Sequence, residues 1–259
     1  MKFDYVEIGS SCFKTLAEVF KDDDSIVGLT VEPVPQYLDI IRSYCSKSIN
    51  KHFFRCAVTK ETEESISFYF IDPLKVKRWA AVGIAGIGCV SEARLKKTIK
   101  SGAPEFDLNT DQIREIETPS LSFKDLVAKF DIDDIDVLKI DAEGCDFEIL
   151  LAMLETNVRP SIVIFEARPF MSDDQIQEIN IALDSEGYSV SDMDVSIARP
   201  HGHKGRNFFC LRSDVEALFF YEHASKMKPF NVMREFRKKI VYKNKNTWIK
   251  EIQKTQNDF

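Results

Sequence analysis

Acidic side chains in this sequence recur where a short apolar run ends. Glu7 stands in Tyr5-Val6-Glu7-Ile8-Gly9-Ser10-Ser11, Glu32 precedes Pro33, and Asp141 and Glu143 follow Val137-Leu138-Lys139-Ile140. Glu166 closes a further apolar run that begins at Pro160. If these runs are parallel strands, the acids gather beyond their carboxyl ends, where open α/β sheets take their ligands. Gly9 lets the backbone come close to such a ligand. Glu32 follows it at near the interval of about 20 residues at which an acid grips ribose hydroxyls. Each residue also has a plainer reading. A strand-end carboxylate can be a solvated helix cap, Glu143 the first-turn acid of a helix, and Lys139 the partner of a neighbouring carboxylate.

Positioning these acids takes an alternation of strands and helices, and the pattern is present. Phe3–Ile8 and Ser25–Glu32 read as strands, with a helical run after each; over Val34–Ser46, Leu38, Ile41 and Cys45 share a face. Phe53–Thr59 and Ser65–Ile71 are further strand candidates, the second rich in β-formers. Residues 73–118 are the least regular, with glycines at 83, 86, 88 and 102 and one short helix expected near Ser91–Lys100. An insertion of this length is more often functional than idle, and it reads as a mobile flap on the substrate side. Ser122 and Asp125 open a helix with chemistry close to a capping box. Val137–Asp141 is then a central strand, Asp146–Leu154 its crossover helix and Pro160–Glu166 the next strand. Ser172 caps a helix that runs through Ile176, Ile179 and Leu183 to Gly187. Tyr188–Met193 and Asn207–Leu211 should pair antiparallel, because residues 194–206 between them carry no helix pattern. Residues 1–213 are thus expected to form one domain, and 214–259 a basic helical extension.

The chain has 259 residues, 44% of them hydrophobic and 11% aromatic, enough for a real core. Its net charge of −7 argues against a protein that coats nucleic-acid phosphates. The charge is uneven, with about ten basic and two acidic side chains between Lys226 and Lys254. Six scattered cysteines without a CxxC pair read as reduced thiols, Cys145 among them as a packed one. No apolar run approaches the roughly 18 residues of a membrane span. The first residues enter a strand directly, so no signal peptide and a cytoplasmic location are expected. His201 and His203 flank Gly202 and could hold a metal with nearby acids, but a polar loop without a metal is the expectation.

The order of elements, the terminal antiparallel strand and three phrases, Val6-Glu7-Ile8-Gly9-Ser10, Val31-Glu32-Pro33-Val34-Pro35 and the stretch from Val137 to Met153, together resemble the FkbM family of methyltransferases. The resemblance runs from about residue 3 to 212 and is most specific at Lys139-Ile140-Asp141-Ala142-Glu143-Gly144. Residues 117–130 look like the family's Thr-Leu-Asp helix entry, with Ser120 and Ser122 in place of its Thr and Asp. One departure is Phe13, which stands where the family's first loop has its last glycine. A Cβ there crowds the approach of helix and strand and is expected to reshape the methionine pocket.

The resemblance implies a Rossmann-like class I methyltransferase fold: α/β, with a mostly parallel seven-stranded sheet, an antiparallel last strand and helices on both faces. It implies S-adenosylmethionine as cofactor and O-methyl transfer to a hydroxyl of a sugar, glycan or small molecule. Glu7 and the amides of Gly9, Ser10 and Ser11 would face the cofactor's amino-acid end. Glu32 would hold the ribose, with Pro33 fixing the turn. Strand three passes Ala57 with no acid near its end, so a backbone carbonyl would take the adenine amine. Asp141 would sit near the sulfonium. Methylating an alcohol needs alignment and a base; the candidates are Asp141, Glu143 and Glu166 beside Lys139, then His201 or His203.

Two other classes stay open at this level. A nicotinamide-dependent oxidoreductase would use a similar sheet, but neither GxGxxG nor a Tyr-x-x-x-Lys pair is present. A non-catalytic module would keep the fold and dock a partner through its tail. In that tail Phe236, Ile240, Trp248 and Ile252 alternate with lysines, which suits a helix packed on the acidic body, a membrane-surface or nucleic-acid patch, or a subunit contact. Acceptor recognition is expected from residues 73–118, the 194–206 loop and the tail.

Overall fold

In the computed structural model, residues 1–10, 15–45, 48–72, 75, 87–102, 106, 108–167, 171–192 and 207–213 are described. The chain opens with β1 (Lys2–Ile8), α1 (Leu16–Val19), β2 (Gly28–Val31), α2 (Pro35–Tyr44) and β3 (Lys51–Phe54). It continues with β4 (Ala57–Thr59), β5 (Glu63–Ile71), β6 (Gly88–Cys89), α3 (Glu92–Gly102) and β7 (Ile113–Ser122). It closes with α4 (Phe123–Phe130), β8 (Asp134–Ile140), α5 (Asp146–Leu154), β9 (Ile162–Glu166), α6 (Asp173–Ser185), β10 (Tyr188–Asp192) and β11 (Asn207–Arg212).

Seven strands form the main sheet in the order β10-β11-β9-β8-β1-β2-β3. The five from β9 to β3 run parallel, and β11 pairs antiparallel with both β9 and β10, as the helix-free connection predicts. Strand order reverses at β1, which lies between β8 and β2, and this puts a crevice at its carboxyl end. Helices cover both faces. Tyr5 packs with Leu16, Ala17 and Ile41 of α1 and α2. Its neighbour Val6 packs into the larger core with Leu126, Ile149 and Ile179 of α4, α5 and α6. Full burial of each such Leu or Ile contributes about 1.5–3 kcal/mol. Local signals set the helix starts. The Ser122 hydroxyl accepts from the Asp125 amide at 3.1 Å, and Ser172 and Gln175 form a reciprocal capping box.

Two expectations need correction. The run Phe53–Thr59 is not one strand: β3 ends at Phe54 in the main sheet, and β4 starts a second sheet of order β4-β7-β5-β6. The helix expected near Ser91–Lys100 is α3, but the described part of 73–118 also supplies β6 and the first half of β7, two strands that the sequence reading lacks. β7 is masked in the sequence by Arg114, Glu115, Glu117 and Pro119, which face outward while Thr118 and Ser120 are buried. Phe68 and Phe70 on β5 pack against Val34 and Tyr37, and Ile71 packs with Leu95 and Ile99 of α3, so the second sheet is covered on both sides.

Ser11, Phe13, Gly83, Gly86, the 194–206 loop with His201 and His203, and the tail over 214–259 lie outside the described residues. Among the described residues no helix is long and apolar enough to cross a membrane.

Candidate active site

A cleft lies beyond the carboxyl ends of β1, β2 and β8, with about 910 Å³ of open space counting the part continuous with solvent. Its floor and one side come from Gly9 and Ser10 after β1, Glu32 and Pro33 after β2, and Asp141 and Glu143 after β8. Facing them are Tyr37 of α2, Val58 of β4, Phe68 of β5 and Gly88 and Val90 at β6. The sheet thus brings together strand-end residues from three distant stretches. Gly9 is needed for this convergence: its φ is +73°, and a Cβ there would stand 2.0 Å from the Asp141 carbonyl oxygen. The close approach it permits is therefore strand end to strand end.

Glu7 and Lys139 are register partners on β1 and β8. Glu7 is fully buried; its Oε1 accepts from Lys139 Nζ at 2.8 Å and its Oε2 from the Leu16 amide at 2.9 Å. Burial pushes the Glu7 carboxyl up, against the pull of Lys139 and that amide. Burial would lower the Lys139 ammonium, but Glu7, Asp141 and Glu166 outweigh it and hold it above its ordinary range. Neither residue is among those lining the cleft. Removing one partner of such a pair costs about 3–5 kcal/mol, so its first role is to lock β1 to β8 and to seat α1.

Glu32 is 3% exposed and held from two sides. Its Oε1 accepts from the Val34 amide at 3.0 Å and its Oε2 from the Ser10 hydroxyl at 3.4 Å. A carboxylate fixed in this way beside an apolar slot of Pro33, Val34, Tyr37 and Phe68 suits a ribose whose base lies along the slot.

At the other end, carboxylate oxygens of Asp141, Glu143 and Glu166 lie within 4.8 Å of one another. Lys139 Nζ is 3.9 Å from Asp141. Burial, then the charges of Asp141, Glu166 and Asp146, raise the Glu143 carboxyl well above the usual carboxylate range. Asp146, 1% exposed, is pushed up to about 7, mainly by burial. Three carboxylates this close could share a divalent cation, although Lys139 already supplies positive charge there. The Cys145 thiol is pushed up to about 12 by burial, which makes it the packed, unreactive group its context suggests.

The methyltransferase FkbM domain profile matches residues 7–190. The chain belongs to this family. Its sheet order and cleft fit the Rossmann-like class I fold, and S-adenosylmethionine is its cofactor. Similar solved structures include a precorrin-6y C5,15-methyltransferase from Geobacter metallireducens GS-15, 13% identical over 82% of each chain with a TM-score of 0.38. Another is fibrillarin from Aeropyrum pernix with natively bound S-adenosyl-L-methionine, 10% identical over 81% of this chain and 67% of that one, TM-score 0.37. No curated sequence matches the chain.

Of the residues expected to meet the cofactor, Gly9, Ser10, Glu32, Pro33, Ala57 and Asp141 line the cleft, together with Tyr37 and Phe68. Ala57 is not on strand three but on β4, parallel to Ser120 of β7; it lines the cleft from the second sheet. Ser120 and Ser122, in the family's helix-entry motif, close β7 and cap α4. Tyr37, Phe68 and Val90 went unforeseen as site residues. The alternation in Ser67-Phe68-Tyr69-Phe70 signals a one-faced strand, but nothing local says that the face meets the cleft.

Proposed function

We propose that this methyltransferase modifies a hydroxyl oxygen of a neutral acceptor, a sugar, glycan or small molecule, with Glu143 as the base. The observation that carries this reading is the elevated Glu143 carboxyl at the acidic end of the cleft, beside Asp141 and Glu166. An alcohol must lose its proton as it attacks, and a carboxylate whose proton affinity is raised by burial and by neighbouring acids takes that proton more readily than an ordinary one. The bound cofactor supplies an electrophilic methyl on a sulfonium. Asp141 presents negative charge to that sulfonium, and Glu143 accepts the hydroxyl proton on a carboxylate oxygen. Glu166, third in the group, adds to the burial and the Asp141 charge that raise Glu143.

The same charges select against some acceptors. A phosphate or uronate brought to this end would meet the carboxylates of Asp141 and Glu143, and Lys139, which lies closer to Glu7, does not line the cleft to offset them. Like-charge contacts of this kind cost several kcal/mol. The test is methyl transfer from isotopically labelled S-adenosylmethionine to a panel of neutral methyl glycosides, amino sugars and sugar phosphates, with the methylated atom located by mass spectrometry. Label on a neutral hydroxyl is expected. Label confined to amines or to anionic acceptors would overturn the proposal.

A further inference from the structure

Glu143 has a left-handed backbone, φ 48°, and Gly144 follows at φ 110°. A glutamate in that region stores strain of about 1–3 kcal/mol and keeps it only where its surroundings hold the backbone. Two side chains do so, and neither lines the cleft. Asp146 accepts from the Ala142 amide at 3.3 Å on one carboxylate oxygen and from the Gly144 amide at 3.2 Å on the other. These are the two amides that flank Glu143. From the opposite side Arg94 of α3 donates through Nη1 to the Gly144 carbonyl at 2.8 Å. The fit is close, since a Cβ on Gly144 would stand 2.6 Å from that nitrogen. The Glu143 carboxyl has no hydrogen-bond partner of its own among the described residues. Its place in the cleft therefore depends on the backbone turn beneath it.

We infer that Asp146 and Arg94 are positioning residues: together they fix the 142–144 turn and so hold the Glu143 carboxyl at the reacting end of the cleft. This rests on the proposed role of Glu143. Arg94 comes from α3, between β6 and β7 of the second sheet, so the placement of Glu143 is tied to that sheet as well as to β8. An ordinary first-turn aspartate would stabilise α5 without affecting how the cleft tells one ligand from another; a positioning residue must affect it.

The probe is a pair of cofactor analogues that needs no acceptor. Sinefungin carries an ammonium where the cofactor carries its methyl, and S-adenosylhomocysteine carries nothing there. The ratio of their affinities, measured by calorimetry, reads the carboxylates at that point. Glu143→Gln should lower the sinefungin preference about tenfold, the scale of one charge-assisted hydrogen bond. Asp146→Asn, which keeps the volume but cannot accept from both amides, should remove most of that preference, with S-adenosylhomocysteine affinity within about twofold of wild type. Arg94→Met should lower it less and Arg94→Lys should restore it. If Asp146→Asn does not fold, the exposed Arg94 variants carry the test. An unchanged ratio in folded Asp146→Asn or Arg94→Met, with Glu143→Gln still lowering it, overturns the positioning role and leaves the base assignment standing. Equal loss of both ligands also overturns it, since that is the mark of general disruption. No response to Glu143→Gln overturns both.

Discussion

Glu32 and Glu143 enter the same cleft from strand ends on either side of β1, and the protein treats them in opposite ways. Glu32 has both carboxylate oxygens occupied by fixed donors, the Val34 amide and the Ser10 hydroxyl, next to an apolar wall. Glu143 stands among other acids with its pKa raised, on a strained turn that two further side chains brace. The contrast follows from the two tasks. A group that binds a ribose gains from a fixed charge and a fixed position, because any reorganisation is subtracted from affinity. A group that takes a proton gains from a raised proton affinity, which burial and like charges provide at the expense of stability. On the proposed roles, binding and chemistry occupy opposite ends of one cleft.

The comparison breaks most visibly in turnover. Glu143→Gln is expected to lower kcat by about a hundredfold or more, the usual share of a general base, with cofactor affinity within a few-fold. Asp141→Asn should behave similarly if its charge acts on the transition state. Steady-state kinetics on a neutral glycoside acceptor, beside calorimetry with S-adenosylmethionine, separates the two quantities. A parallel fall in both for Asp141→Asn would move that residue to the binding end.

Glu32→Ala should show the reverse. Losing charge-assisted hydrogen bonds of about 1.5–3 kcal/mol each weakens S-adenosylmethionine by an order of magnitude or more. At saturating cofactor kcat should change little. Unchanged affinity in a well-folded variant would remove Glu32 from the site.

A separate effect is on stability. Asp146 is raised from an ordinary value of 3.8 to about 7 and Glu143 is raised as well, so the folded state binds more protons than the unfolded chain between those values. For Asp146, stability therefore falls as pH rises from about 4 to 7, by at most about 1.4 kcal/mol per pH unit for one proton, and Glu143 acts in the same direction. Melting temperature should be higher at pH 5 than at pH 8, and Glu143→Gln should flatten the slope. An equally steep slope in that variant would assign the titration to Asp146 alone. Glu32→Gln gives the matching control, since the comparison assigns the slope to the acidic end.

Part of this was legible before any coordinates. Strand ends at Ile8 and Ile140, helix starts at Ser122 and Ser172 and the stop at Gly187 are local events, written in adjacent residues by alternation, caps and a left-handed glycine. The acids at 7, 32, 141, 143 and 166 were visible for the same reason, because each follows an apolar run. β7 was not, because its partners lie about fifty residues away and its own charged face and Pro119 hide the alternation.

The sequence by itself determined which groups stand at the strand ends, and its element order and three phrases, most specifically Lys139 to Gly144, together pointed to the family. Only the tertiary structure decided how those groups divide the work. Glu7 looks like Glu32 in sequence, each at the end of an apolar run. Yet β1 is a central strand whose register sets Glu7 against Lys139, 132 residues away, and this turns it into a buried ion pair. Glu32, at the end of β2, meets the cleft instead. Ala57 was expected on the third strand but reaches the cleft through a second sheet. Asp146 looked like a helix-start acid, and it became the support of Glu143 only because burial and two amides converge on it. Burial and long-range register depend on what the rest of the chain places alongside a residue, and no window of neighbouring residues contains that.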